Sequence, residues 1–182
     1  MKTYQISSLK ELEKFKDKYG YKVDGSLEVG CSLSFTGRLL VAGYLSIEAG
    51  GSIEADGYIE AGGSIEAGRS IEAGRYIEAG GFIKAGGSIE AGEYIETGGS
   101  YGIVAGLQIT CKGILKYGLK CFAGICTWRT ISDEEKTITC GKHEGGVIEY
   151  GILKETGIEE KALSGKKVKV ELDGKTYTAT ID

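Results

Sequence analysis

An isoleucine recurs every six residues from Ile47 to Ile95, set in the repeated word Ser-Ile-Glu-Ala-Gly-Gly. Nine such hexads run from Ser46 to Gly99 without a slip. An amphipathic helix repeats its apolar stripe roughly every 3.6 residues, and a hairpin meander of ordinary strands needs a longer unit. A six-residue period fits a solenoid, in which each hexad is one short strand and one turn. Degenerate hexads extend the phase through Leu27, Leu33 and Leu39 upstream, and through Ile103, Ile109, Leu115 and Cys121 downstream. Two-residue shifts fall at Tyr44-Leu45 and at Ser100-Tyr101, leaving sixteen hexads between Ser26 and Ile125.

The residue before each isoleucine indicates how many hexads close a coil. Tyr58, Tyr76 and Tyr94 are eighteen apart; Ser52, Ser70 and Ser88 form a second set, and Ser46, Ser64, Phe82 and Ser100 a third. A twelve-residue coil would mix serines with aromatics in both columns. Three hexads per coil predict an all-β fold, a single-stranded triangular β-helix of about five coils, on the order of 25 Å long.

Alternation within Ile-Glu-Ala sends Ile and Ala to one face of the strand and Glu to the other. Ile and Ala must face inward, because inward glutamates would bury a ladder of unpaired charge. The Gly-Gly pair is expected to turn each corner through backbone angles closed to other residues. Arg69, Arg75 and Glu93 replace the second Gly, so that position must point to solvent, and stacking sets Arg75 beside Glu93.

An aliphatic residue every six positions with a small residue nearby resembles the hexapeptide-repeat β-helices, a resemblance that implies left-handed winding. Here the small inward residue follows the aliphatic one by two places, as in Ile53-Glu54-Ala55, instead of preceding it, a departure that bears on the handedness. The near-identical Ser-Ile-Glu-Ala-Gly-Gly words are also similar to repeats in phage and prophage proteins. The glycine-rich hydrophobic β-helix resembles, more distantly, the bactofilins, which form cytoskeletal polymers.

Three segments follow. Residues 1–25 hold a capping helix over 8–19 and a linker; Ser8 and Glu11 form a capping box, and Leu9, Leu12 and Phe15 share one face. Residues 26–126 are the β-helix. Residues 127–182 are a small β module with a hairpin of 168–172 and 175–180 around a type I′ turn at Asp173-Gly174. The stretches 137–140 and 147–150 are expected to be strands of the same module.

Net charge is −4, yet residues 46–99 alone carry nine Glu and one Asp against Lys84, Arg69 and Arg75. The absence of a long apolar run and of a signal-peptide core points to the cytoplasm, that of the host cell if the chain is phage-encoded. Five cysteines is an odd number, and Cys111 and Cys121 fall at inward hexad positions, as small buried residues in a reducing compartment do.

Catalytic chemistry is sparse. Hexapeptide β-helices are often trimeric acyltransferases with a histidine base, and that resemblance implies a role for the only histidine, His143. It lies outside the repeat, where a polar turn residue is the plainer reading. Cys121, Cys126, Cys140 and His143 match zinc in number. Cys121 holds an aliphatic hexad position and the Cys-x4-Cys spacing is loose, so structural cysteines are expected. No metal, cofactor or catalytic residue is assigned.

The surface is more informative. Glu54, Glu72 and Glu90 should stack on one face and Glu60, Glu78 and Glu96 on another, while Glu48 and Glu66 share the third with Lys84. Stacked like charges repel and so are not there for stability. They either solvate a flat β surface or mimic a nucleic-acid backbone. Tyr58, Tyr76 and Tyr94 line a corner as a second contact surface or pack on one another. The expected function is a non-enzymatic, rigid acidic module that binds a protein partner. The phage-like resemblance implies an inhibitor of a host nucleic-acid-binding defence complex, of the anti-CRISPR kind. Direct binding of nucleic acid or membrane is not expected, whereas a homo-oligomer is compatible with the pattern. The competing readings are a self-assembling bactofilin-like polymer and an acyltransferase.

Overall fold

A computed structural model describes residues 1–158 and, beyond them, the strands Lys167–Leu172 and Lys175–Thr180. The chain is a parallel β-solenoid of about six turns, with one short helix near its N-terminus. Each regular hexad forms a three-residue strand, Ile53–Ala55 being the first and Ile89–Ala91 the last of seven consecutive ones with the Ile-x-Ala pattern. Every strand pairs in parallel with the third strand along, so Ile53, Ile71 and Ile89 are direct neighbours, as are Ile59, Ile77 and Ile95. The strands therefore stand in three files around one core.

That core is dry. The aliphatic position is fully buried in every hexad from Ile53 to Ile109, and the alanines behind it are at most 7% exposed. Each buried isoleucine is worth roughly 1.5–3 kcal/mol, and stacking makes the contribution continuous along the axis. Thr97 replaces one alanine; it stays buried because its hydroxyl bonds the carbonyl of Tyr101 at 3.2 Å.

The first frame shift lies slightly away from the position expected, and the second falls in the turn that holds Ser100-Tyr101. Leu45, not Ile47, stands between Leu27 and Ile65 in the aliphatic file, and Ile47 takes the small residue's place facing Ala67. The two extra residues come after the strand Leu45–Ile47, in a turn closed by the Gly51 N–H to the Glu48 carbonyl, with Gly50 at φ +87°. Downstream, the Tyr101 N–H closes the second wide turn onto the Gly98 carbonyl. Neither insertion interrupts the core, because each is absorbed at a corner.

Glycine acts differently from the expectation. None of the repeat glycines from Gly57 to Gly99 has positive φ. The constraint is crowding instead. A Cβ on Gly80, Gly86 or Gly92 would lie well inside 3.0 Å of the carbonyl oxygen of the glycine one coil earlier, a separation real Cβ atoms essentially never show. The corners of successive coils nest backbone against backbone.

The stack also begins earlier and ends later than the clear hexads. Tyr21 and Val23 occupy inward positions beside Leu39 and Val41, so Gly20–Val23 is already a coil strand. After the repeat fades, Thr137–Cys140 pairs in parallel onto Ile109–Cys111, and Ile152–Glu155 pairs onto Thr137–Cys140. The long strand Lys142–Tyr150 runs along Ile114–Ala123, both of them turning a corner. The stretches 137–140 and 147–150 thus extend the solenoid. Among the described residues the strands Lys167–Leu172 and Lys175–Thr180 pair with each other alone; the turn at Asp173-Gly174 lies outside the described residues.

The N-terminal helix is Leu9–Leu12 followed by one 3-10 turn, Glu13–Phe15, shorter than the 8–19 expected. Its end is set by the return to strand: the Asp17 carboxylate accepts the Tyr19 N–H and the Arg38 guanidinium, turning the chain into Gly20–Val23. The capping box is only partly formed. Glu11 accepts from the Ser7 N–H at 2.7 Å, and the Ser8 side chain caps nothing. Leu12 is fully buried and Phe15 packs edge-on against Tyr4 at 4.9 Å, so the segment does cover the first coil.

Candidate functional site

The outward residue of each strand forms three surface files. One reads Ser34, Glu54, Glu72, Glu90, Thr110, Thr139, Lys154. A second reads Leu40, Glu60, Glu78, Glu96, Lys116, Glu144. In the third, Glu66 lies between Ser46 and Lys84. Two unbroken runs of three glutamates are therefore in register. Glu48 is not among them: the shifted turn moves it to a hollow of about 410 Å³ beside Ser7, Glu11 and Glu28.

Neighbours in a parallel file stand about 4.8 Å apart, and several members of each run find donors, whereas among the described residues Glu72 and Glu60 have none. Ser34 donates to Glu54 at 3.3 Å and the Gln108 amide to Glu90 at 3.1 Å. Lys116 closes the other run on Glu96 at 2.5 Å. Burial first, and then the carboxylates of Glu90 and Glu54, push the Glu72 carboxyl above its ordinary range. Burial and Glu78 do the same to Glu60. The files carry an electrostatic cost that falls on Glu72, the middle of one run, and on Glu60, an end of the other.

That cost gives a pH-dependent prediction. Glu72 holds a proton more tightly folded than unfolded, so its contribution to stability is present below the ordinary value of 4.5 and lost as pH rises through the raised one. Glu72→Gln should therefore raise Tm at about pH 7 and change it little near pH 4. Thermal melts at the two pH values check this; an equal shift at both would show that charge repulsion is not the cause.

Tyr58, Tyr76 and Tyr94 stack on one another. Their ring centroids are 4.4 and 4.6 Å apart and the planes deviate by 11° and 6°. All three are half-buried, so the ring faces are spent on their neighbours and the edges are left to solvent. Burial and the neighbouring carboxylate of Glu78 push the Tyr94 hydroxyl up to about 12. Tyr94 donates to Glu78 at 3.3 Å, joining the aromatic corner to the acidic file. At the other end Arg38 donates to the Tyr58 hydroxyl at 3.0 Å while its other arm pairs with Asp17 at 2.7 Å. Arg38 and Lys116 are the members that sequence reading missed. Both sit twenty residues from their file neighbours, across a frame shift, so an eighteen-residue count passes over them.

The remaining candidates separate. Arg75 pairs with Glu93 at 3.0 Å one coil on, as the stacking predicts. His143 is not in a turn: it stands on Leu115 in the inward file, 5.2 Å from the ring of Tyr117. Cys111, Cys121 and Cys140 are buried and reduced, and burial pushes the Cys121 thiol up to about 12, against a thiolate. Cys126 lies in the loop after Ile114–Ala123. Among the described residues no three of His, Cys, Asp and Glu converge as metal ligands. No helix among them is long and apolar enough to cross a membrane. Comparison with protein-family models, curated proteins and solved structures found no match to the chain.

Proposed function

We propose that the solenoid is a non-enzymatic protein-interaction module whose two acidic files dock into a basic groove of a protein partner. The observation that supports this most is the pair of in-register runs Glu54-Glu72-Glu90 and Glu60-Glu78-Glu96, retained although neighbouring carboxylates within each run repel. Two charges per coil give about one charge every 2.4 Å of axis, against one per ~1.7 Å in duplex DNA. A groove built for a phosphate backbone is therefore a suitable receptor, and a nucleic acid itself is repelled. Tyr58, Tyr76 and Tyr94 supply a rigid flank to the contact through their edges. The three files belong, in this reading, to the sides of a left-handed triangular prism. The partner class is a nucleic-acid-binding defence complex, inhibited by occupation of its groove.

The test is affinity capture of a nucleic-acid-binding protein from host lysate, with elution by competing duplex DNA. The variant Glu54→Lys/Glu72→Lys/Glu90→Lys should keep its melting profile and capture at least about tenfold less. Capture undiminished by the triple reversal, or not displaced by DNA, removes groove mimicry.

A further inference from the structure

We propose that the C-terminal end of the solenoid is a self-association surface joining two copies of this chain, end to end, in a closed two-fold dimer. The three files finish at Lys142–Tyr150 and Ile152–Glu155, and among the described residues no strand pairs with their outer edges. Unpaired edges of this kind are templates for another strand.

The core is open at the same place. Leu153 stands on Ile138 in the inward file; Ile138 is 0% exposed and Leu153 is 38% exposed. In the last strand of the other two files, Val147 and Tyr150 are 60% and 49% exposed. The N-terminal end shows the opposite condition, with Leu12 of the covering helix fully buried.

The occupant follows from the geometry. Three edges set around one core match, all at once, only another end of the same girth. A single strand or a hairpin from an unrelated protein satisfies one file and leaves the core wet. A second copy of this chain, turned about a two-fold axis perpendicular to the solenoid, presents the required three edges running antiparallel. With one end covered and the other open, assembly stops at two copies. The acidic files point outward along the sides, so the dimer is independent of their use in partner binding.

Sedimentation equilibrium on the full chain over a range of concentrations tests this. The expected mass is twice the 19.3 kDa of the chain. Val147→Lys/Tyr150→Lys, and Val147→Lys alone should the double variant melt early, should weaken association at least about tenfold with the fold unchanged. Hydrogen exchange should show the amides of 142–150 and 152–155 slow in the wild type and fast in the variant. A wild type that is monomeric at every concentration overturns the proposal, including one whose edge amides are slow because residues 159–182 cover them. So does a dimer indifferent to both substitutions, or growth into filaments.

Discussion

Gly92→Ala is expected to destabilise the solenoid by about 3 kcal/mol or more, lowering Tm by roughly 10 °C. The new methyl would meet the carbonyl oxygen of Gly74, one coil earlier, well inside 3.0 Å. That carbonyl cannot retreat cheaply. The Gly74 N–H bonds Ala55 at 2.8 Å and the Gly92 N–H bonds Ala73 at 3.0 Å, so both corners are tied into neighbouring coils. Relief requires wider coil spacing, which the strand pairs on either side of the corner resist. Gly99→Ala is the control, since a Cβ there has nothing within 4 Å, and it should move Tm by no more than about 2 °C. Similar effects at the two sites would show that the glycines serve loop flexibility and not close nesting of coils.

The comparison of glycines shows what the sequence makes legible. Periodicity located the strands because inward burial is a property of one residue and its neighbour two places on, and the word of Ile53–Ala55 recurs at Ile71–Ala73 and Ile89–Ala91. The register followed from the tyrosines, which face one another only if coils are eighteen residues apart in the regular section. Other features belong to pairs of coils and carry no local signature. The reason for Gly-Gly is one of these, since the obstructing atom lies in the preceding coil. The displaced frame at Leu45 is another: Leu45 and Ile47 are both apolar and either can serve as the inward residue. Only the turn at Glu48–Gly51 decides between them, and that decision moves Glu48 out of its acidic file. In the last turn, Ile138 and Cys140 alternate as inward residues should, but without the repeated word their strand reads as a separate module. Of the candidate surface, both three-glutamate runs were visible in the spacing. Arg38, which ends the tyrosine stack, and Lys116, which ends the second glutamate run, required the three-dimensional register.

The helix at the N-terminus should act as the barrier to polymerisation, and Leu12→Asp is expected to turn discrete particles into filaments. Leu9–Leu12 is a single turn, far too short to persist on its own. It is held by Leu12 in the core, by the Phe15 ring on Tyr4, and by Glu13 accepting the Tyr21 hydroxyl at 2.6 Å. An aspartate at a fully buried position must lose its charge or leave, and leaving uncovers the first coil, where Leu33–Phe35 is the terminal strand of its sheet. Each molecule would then have two open ends of equal girth. An open first coil meeting an open last coil continues the parallel pairing already present within the chain, a head-to-tail contact that does not close. Electron microscopy and light scattering should show elongated assemblies for Leu12→Asp and none for the wild type. Adding Val147→Lys and Tyr150→Lys should abolish them by blocking the other end. A Leu12→Asp protein that keeps its β signature yet stays discrete would mean that the helix packs on the first coil without protecting it from other chains.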